Sequence, residues 1–164
     1  MKELDFKPHK SKEEFRNNYK LHDLAEQLGK NLLIQWGIRF DIFGKDRRYE
    51  RVWEKGKDKP DLIISYKGKN ALLDWKGKHN SKWLMNERAY QSYLEWKTKM
   101  NMPVFIAFFL LDEENNLLEN RVAAIGVHTP KFSKSKEWDK NKTVEFENSL
   151  PIFTKSELLK YLLS

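Results

Sequence analysis

The sequence predicts an α/β fold whose core elements follow the order helix, three strands, helix, strand, with a C-terminal β/α extension. Three observations support this prediction. An amphipathic helical pattern precedes a group of short apolar strands, and a second helical segment follows them. Residues 104–111 are then almost wholly apolar, as is typical of a strand covered on both faces.

The first helix is predicted over residues 19–36, where apolar residues recur near the helical period. Its apolar stripe consists of Leu21, Leu24, Ala25, Leu28, Leu32 and Ile34. Gly37 is a natural stop, and the alternating residues 38–43 predict the first strand. Upstream, residues 11–14 have the form of a capping box and predict a separate short helix.

Residues 59–76 predict two short strands joined by a tight turn around Gly68. Because strand side chains alternate between faces, Asp74 and Lys76 point the same way as Leu72. The opposite face carries Leu73 and Trp75. One face therefore begins apolar and becomes ionic, a pattern that indicates a buried sheet ending in a polar site.

The same hairpin brings Asp61, at the start of its first strand, close to Asp74. Two carboxylates held together repel each other unless a positive charge lies between them. A divalent cation would supply that charge, and so would a nearby lysine. The residues alone do not decide between a divalent cation and a lysine.

The remaining elements follow from periodicity and turn residues. A second helix is predicted from about residue 86 to 100, and the apolar strand 104–111 is followed by a turn at 112–116. A further strand is predicted over 121–128, a polar, lysine-rich loop over 131–142 and a short strand over 143–147. The capping-box pattern that begins at Thr154 opens a last helix through Leu163.

The dipeptide Pro60-Asp61 and the tripeptide Asp74-Trp75-Lys76 resemble the motif of the PD-(D/E)XK nuclease superfamily, in its DXK form. The resemblance implies a restriction-endonuclease-like fold, in which a mixed central sheet is flanked by helices in the core order αβββαβ. It covers about residues 19–111 of a single nuclease domain spanning 1–164. Residues from about 112 to 164 are expected to be a family-variable extension.

The resemblance also implies a site. Asp61 and Asp74 would bind Mg²⁺, for which Mn²⁺ would substitute, and the main-chain carbonyl of Trp75 would add a ligand. Lys76 would help orient the attacking water and stabilise charge on the phosphate. Glu26 on the first helix would reach the metal, in a layout similar to that of archaeal junction resolvases. The alternatives are a partly exposed ion pair at a sheet edge and an ordinary solvated glutamate.

Residues around this motif are weaker candidates. Gln91 and Lys78 are expected near the site, and phosphate contacts are predicted for Lys45, Arg47, Arg48, Arg51 and Lys82. Trp83 would either stack on a base or cap the core, and the core position is favoured. The four histidines, which include His22 and His79, are scattered and show no metal-ligand spacing.

The composition bounds the function. The formal net charge of +7 favours a polyanionic partner, here DNA, and the chain has no cysteine. No signal peptide, membrane-length apolar run or phosphate-binding GxxxxGK[ST] loop is found, so an intracellular protein without intrinsic ATP hydrolysis is expected.

The sequence thus predicts a divalent-metal-dependent DNA nuclease, an endonuclease that is structure-selective for junctions or branched DNA or is of phage or mobile-element type. A homodimer is expected if it makes paired cuts. The alternatives are an inactive nuclease-fold DNA-binding module and a subunit of a larger complex.

Overall fold

The computed structural model describes residues 12–43, 58–133 and 142–164, with side chains from Tyr19 onward. The helices are α1 (Lys12–Trp36), α2 (Glu87–Met100) and α3 (Lys155–Leu162). The first strands are β1 (Arg39–Ile42), β2 (Leu62–Tyr66), β3 (Lys69–Lys78) and β4 (Trp83–Asn86). They are followed by β5 (Val104–Leu111), β6 (Leu117–Ala124), β7 (Lys131–Phe132) and β8 (Thr143–Phe146). No helix in these ranges is long and apolar enough to cross a membrane.

Within the described residues the central sheet has five strands in the order β1-β2-β3-β5-β6. The β3–β5 pair is parallel and the other pairs are antiparallel, so the sheet is mixed. Helices α1 and α3 share a buried cluster with one face of the sheet, and α2 shares another cluster with the opposite face. A smaller sheet, β4-β8-β7, joins the α2 side. The predicted fold class is confirmed.

Local signals explain the best-predicted elements. Lys67 and Gly68 both take positive φ, 50° and 80°, which suits the two-residue turn of the β2–β3 hairpin. Gly37 ends α1 with a φ of 75°. At the start of α3, the Thr154 hydroxyl accepts a hydrogen bond from the N–H of Glu157 at 3.2 Å, as the capping box predicts.

The prediction for the first helix was wrong in two respects. Helix α1 is continuous from Lys12, so residues 12–14 begin the same helix rather than a separate short one; residue 11 lies outside the described residues. Leu33 is fully buried, whereas Ile34 is 65% exposed. Because successive helical residues turn by about 100°, Leu33 continues the face of Ala25 and Gly29, and Ile34 points away from it.

Three later elements also differ from the predictions. Strand β6 ends at Ala124, four residues before the predicted end, because the chain turns at Gly126 with a φ of 83°. Strand β4 was missed, since a four-residue segment acquires its strand character only by pairing with β8. The predicted loop at 131–142 begins with β7, and residues 134–141 lie outside the described residues.

Two glycines set the close contact between α1 and β3. A Cβ atom added at Gly29 would overlap the ring of Trp75, and one added at Gly77 would overlap the carbonyl oxygen of Leu21. The absence of these two side chains lets the helix backbone lie directly on the strand. This contact fixes the middle turns of α1, from Leu21 to Gly29, against Trp75 and Gly77 of β3.

Candidate active site

The β2 and β3 strands separate at the position of the two aspartates. Their pairing ends at Leu62 and Leu73, whereas β3 continues to Lys78 as a partner of β5. Asp61 immediately precedes β2, and Asp74 is the first β3 residue beyond the pairing. The candidate site occupies this fork in the sheet.

Hydrogen bonds hold Asp61 at the fork. Its Oδ2 atom accepts the backbone N–H of Trp75 at 3.1 Å and lies 3.2 Å from Nε2 of His22. Its main-chain carbonyl accepts the N–H of Phe43 at 2.8 Å. The Asp61 carboxylate is therefore fixed by α1, by β3 and by the end of β1.

Asp74 and Lys76 form an ion pair on the face that the alternation predicts. The Lys76 Nζ lies 3.3 Å from Oδ2 of Asp74, whose side chain is 6% exposed. Leu72 belongs to the cluster on this face, and Leu73 and Trp75 belong to the cluster on the other. In the strand order β3 lies between β2 and β5, but β2 pairs with it only as far as Leu73, so at Asp74 and Lys76 the strand is bonded to β5 alone. Asp74 is buried and Lys76 is about one-third exposed, and the alternative of an ion pair at a sheet edge stays open.

The two aspartates titrate very differently. Burial raises the pKa of Asp74 to about 7, against the opposing charge of Lys76 and with the help of the charge on Asp61. Burial would also raise the pKa of Asp61. Hydrogen bonds to His22 and Asp74 outweigh this effect and hold its pKa below the usual range. Near neutral pH the pair therefore retains a proton, as expected of two buried carboxylates that lack sufficient positive charge.

His22 is the site residue that the sequence prediction missed. Its hydrogen bond to Asp61 raises its pKa above the usual value, although burial acts in the opposite direction. The adjacent Leu21 lies against Gly77, so the α1–β3 contact carries His22 to the fork. A signal was available, because His22 and Glu26 are four residues apart and share one helix face.

Glu26 belongs to a group on α1. Its carboxylate pairs with Lys30 at 2.7 Å, and the potential ligand atoms of His22, Asp23 and Glu26 all lie within 4.8 Å of one another. His22 thus links this group to Asp61. The described residues bring Asp61, Asp74, Trp75 and Lys76 together directly, while Glu26 lies one helical turn beyond His22. The role of Glu26 as a metal ligand stays a prediction.

Helix α2 supports the site through two aromatic residues. The buried Tyr93 hydroxyl donates to the carbonyl of Lys59 at 3.4 Å, and the Trp96 indole donates to that of Asp58 at 2.9 Å. Burial, followed by the charges of Asp74 and Asp61, raises the pKa of Tyr93 well above its usual value. Both aromatic residues therefore anchor the segment that leads into Asp61.

The weaker candidates lie on different elements, and their proximity to the site stays a prediction. Gln91 is exposed on α2, Lys78 is half-buried at the end of β3, and Lys82 is exposed in the following loop. Trp83 is 1% exposed with its ring centroid 5.6 Å from that of Phe108, so the core interpretation is confirmed. The predicted phosphate contacts Lys45, Arg47, Arg48 and Arg51 lie outside the described residues.

Comparison with known proteins identifies the fold. No protein-family model matches the chain, and no curated protein matches it. Among solved structures, it is similar to Hjc, a Holliday junction resolvase from the archaeal hyperthermophile Archaeoglobus fulgidus, with a TM-score of 0.51 and 10% sequence identity. The similarity covers 83% of this chain and 95% of the resolvase. At this identity the comparison establishes a shared fold.

The His22–Asp61 contact leads to a prediction about stability. Because the folded protein raises the pKa of His22, the contact stabilises the fold below pH 6.5 and loses this effect as pH rises through the folded pKa. His22→Gln is therefore expected to lower the melting temperature more at pH 5.5 than at pH 8.5. Thermal denaturation of the metal-free protein at several pH values measures this difference.

His128 provides a matched control with the opposite sign. Burial lowers its pKa, and its Nδ1 accepts the N–H of Ala124 at 2.9 Å, which requires an unprotonated Nδ1. His128→Gln should therefore lower the melting temperature more at pH 8.5 than at pH 5.5. Equal losses for His22→Gln at both pH values would show that the ionised contact with Asp61 does not form.

Proposed function

We propose that this chain is a divalent-metal-dependent nuclease that hydrolyses phosphodiester bonds in DNA. The observation that carries the proposal is the convergence of Asp61, Asp74 and Lys76 at a fork in the sheet, where burial raises the pKa of Asp74 to about 7. A PD-(D/E)XK site requires this set of groups in this order along the chain. The resolvase-like fold supports the same reading.

The donor set fits Mg²⁺ or Mn²⁺. Both cations prefer carboxylate and carbonyl oxygens, and a divalent charge would replace the proton that Asp74 retains near neutral pH. Asp61, Asp74 and the Trp75 carbonyl would hold the cation, and Glu26 would reach it from α1. When bound, the metal would polarise the scissile phosphate and lower the pKa of the attacking water.

The chain's own residues supply orientation and charge. His22 and the N–H of Trp75 hold one oxygen of Asp61, and a side-chain hydrogen bond joins Asp61 to Asp74, so the two carboxyl groups that would hold the cation are fixed side by side. Lys76 is about one-third exposed, so its ammonium reaches from Asp74 into the open side of the fork. There it would orient the attacking water and stabilise the negative charge that develops on the phosphate.

The preferred DNA follows from size and fold. A net charge of +7 supports contact with phosphates along a strand, which gives affinity with little sequence information. We expect selectivity for branched or junction DNA, or a role in a phage or mobile element. Paired cuts in a junction require two sites, so a homodimer is part of the proposal.

A small cleavage panel tests this function. Wild type and Asp74→Asn are incubated with supercoiled plasmid, linear duplex, single strand and a four-way junction, each with Mg²⁺, Mn²⁺ or EDTA. Metal-dependent cutting by wild type, reduced by at least about 10³-fold in the variant, is expected because the metal loses a charged ligand. Binding of DNA without cutting in any metal would instead favour an inactive nuclease-fold module or a subunit of a complex.

A further inference from the structure

Lys78 extends the ionic face of β3 beyond the catalytic pair. Asp74, Lys76 and Lys78 alternate along one strand, and so their side chains point to the same face. Lys78 pairs in register with Leu110 of β5, beyond the last residue that β2 contacts. Its side chain is half-buried, so neighbouring residues cover part of it at the end of the strand.

The ammonium of Lys78 has no ion-pair or hydrogen-bond partner among the described residues, whereas that of Lys76 is paired with Asp74. Asp112, the acidic residue that follows β5, already accepts hydrogen bonds from the N–H groups of Glu114 and Asn116, both at 2.8 Å. Burial and the charge of Lys76 lower the pKa of Lys78 to about 8, so it remains mostly charged at neutral pH. Because charges that leave water are usually paired, an anion would supply the partner that this ammonium lacks among the described residues.

We propose that Lys78 binds the DNA backbone phosphate next to the scissile phosphate. Two residues of a strand advance about 6.6 Å, which is comparable to the step between consecutive phosphates of one DNA strand. With the scissile phosphate at Lys76, the neighbouring phosphate lies at Lys78. This inference rests on the proposed function, and it makes Lys78 a residue that positions the strand.

Charge removal at Lys78 is the first test. Lys78→Met is compared with Lys78→Arg, which keeps the charge, and with Lys69→Met, which removes an exposed lysine at the opposite end of β3. With Ca²⁺ to suppress cutting, Lys78→Met should reduce the slope of log affinity against log salt for duplex or junction DNA by about 0.9, the value for one phosphate. The other two variants should keep the wild-type slope.

A single-phosphate substrate separates positioning from chemistry. Lys78→Met is expected to lower kcat/KM for DNA about tenfold or more, because a hydrogen bond to a charged group is lost. Hydrolysis of bis(p-nitrophenyl) phosphate, which has no neighbouring phosphate, should stay at the wild-type rate. Equal losses on both substrates would overturn the proposal and place Lys78 at the scissile phosphate or in the folding of the site.

A neutral linkage completes the test. An uncharged methylphosphonate replaces the phosphate on one side or the other of the mapped cut. At the linkage that Lys78 contacts, this replacement should lower the kcat/KM of wild type by the same factor as Lys78→Met does. Combining the replacement with Lys78→Met should cause no further loss. The inference is overturned if the losses in kcat/KM multiply in the combination, or if neither linkage lowers kcat/KM. If wild type cuts neither DNA nor the small diester, the proposed function fails, while the salt slope still decides the phosphate contact.

Discussion

Asp74→Asn is expected to stabilise the metal-free protein above pH 7 while it abolishes metal-dependent cleavage. Burial raises the pKa of Asp74 to about 7, so the folded state holds a proton that the unfolded chain releases near pH 4. Asparagine has the shape of the protonated acid and never ionises. The variant therefore avoids the cost of an anion in the fork.

The sign follows from proton linkage. Between about pH 4 and pH 7 the folded state binds more protons than the unfolded state, so the stability of wild type falls as pH rises through this window. The variant lacks this loss. Its advantage in free energy of unfolding should be near zero at pH 4 and grow to at most about 4 kcal/mol at pH 8. Urea denaturation at several pH values in EDTA measures it.

Magnesium should reverse the order of stability of wild type and Asp74→Asn. A cation that binds only the folded state stabilises it in proportion to the logarithm of its concentration, and the cation needs the ionised Asp74. Wild type should therefore gain stability with Mg²⁺ at pH 8, whereas Asp74→Asn should not. A variant that is less stable than wild type in EDTA at pH 8 would show that the Asp74–Lys76 ion pair is structural, and it would contradict a site in which a cation replaces the proton of Asp74.

The parts of the fold that sequence predicted well are those fixed by short-range rules. The β2–β3 hairpin follows from alternation on both sides of Gly68, and the ionic face of β3 follows from the same period. Strand β5 is apolar throughout because it is covered on both faces. In each case the signal lies within about ten neighbouring residues, so one sequence is enough to read it.

The parts that were missed depend on contacts between distant segments. His22 reaches Asp61 across 39 positions of the chain, and Tyr93 reaches Lys59 across 34. Apart from its spacing to Glu26, nothing local distinguishes His22 from the other scattered histidines, because its role is set by where α1 crosses β3. The same holds for β4, whose partner β8 is almost sixty residues away. Helix spacing offered one clue, the shared face of His22 and Glu26.

Gly29→Ala is expected to lower the free energy of unfolding by about 3 kcal/mol, because overpacking a rigid core forces the backbone apart. On an exposed helix surface the same change would stabilise the protein by about 1 kcal/mol. Here the new methyl group would overlap the ring of Trp75, which is fully buried and packs against Phe109 and Phe153. Asn31→Ala, an exposed change on the same helix, serves as the control and should not destabilise.

The cause can be isolated with a double-mutant cycle. Trp75→Leu alone should destabilise by leaving a cavity, yet Gly29→Ala should cost far less in its presence, because the overlapping ring is gone. Additive losses in urea denaturation would mean that Gly29 is needed for another reason. The contact matters beyond stability, since the N–H of Trp75 holds Asp61. A helix that is displaced from Trp75 also withdraws His22, so the packing that stabilises the core is the packing that aligns the candidate site.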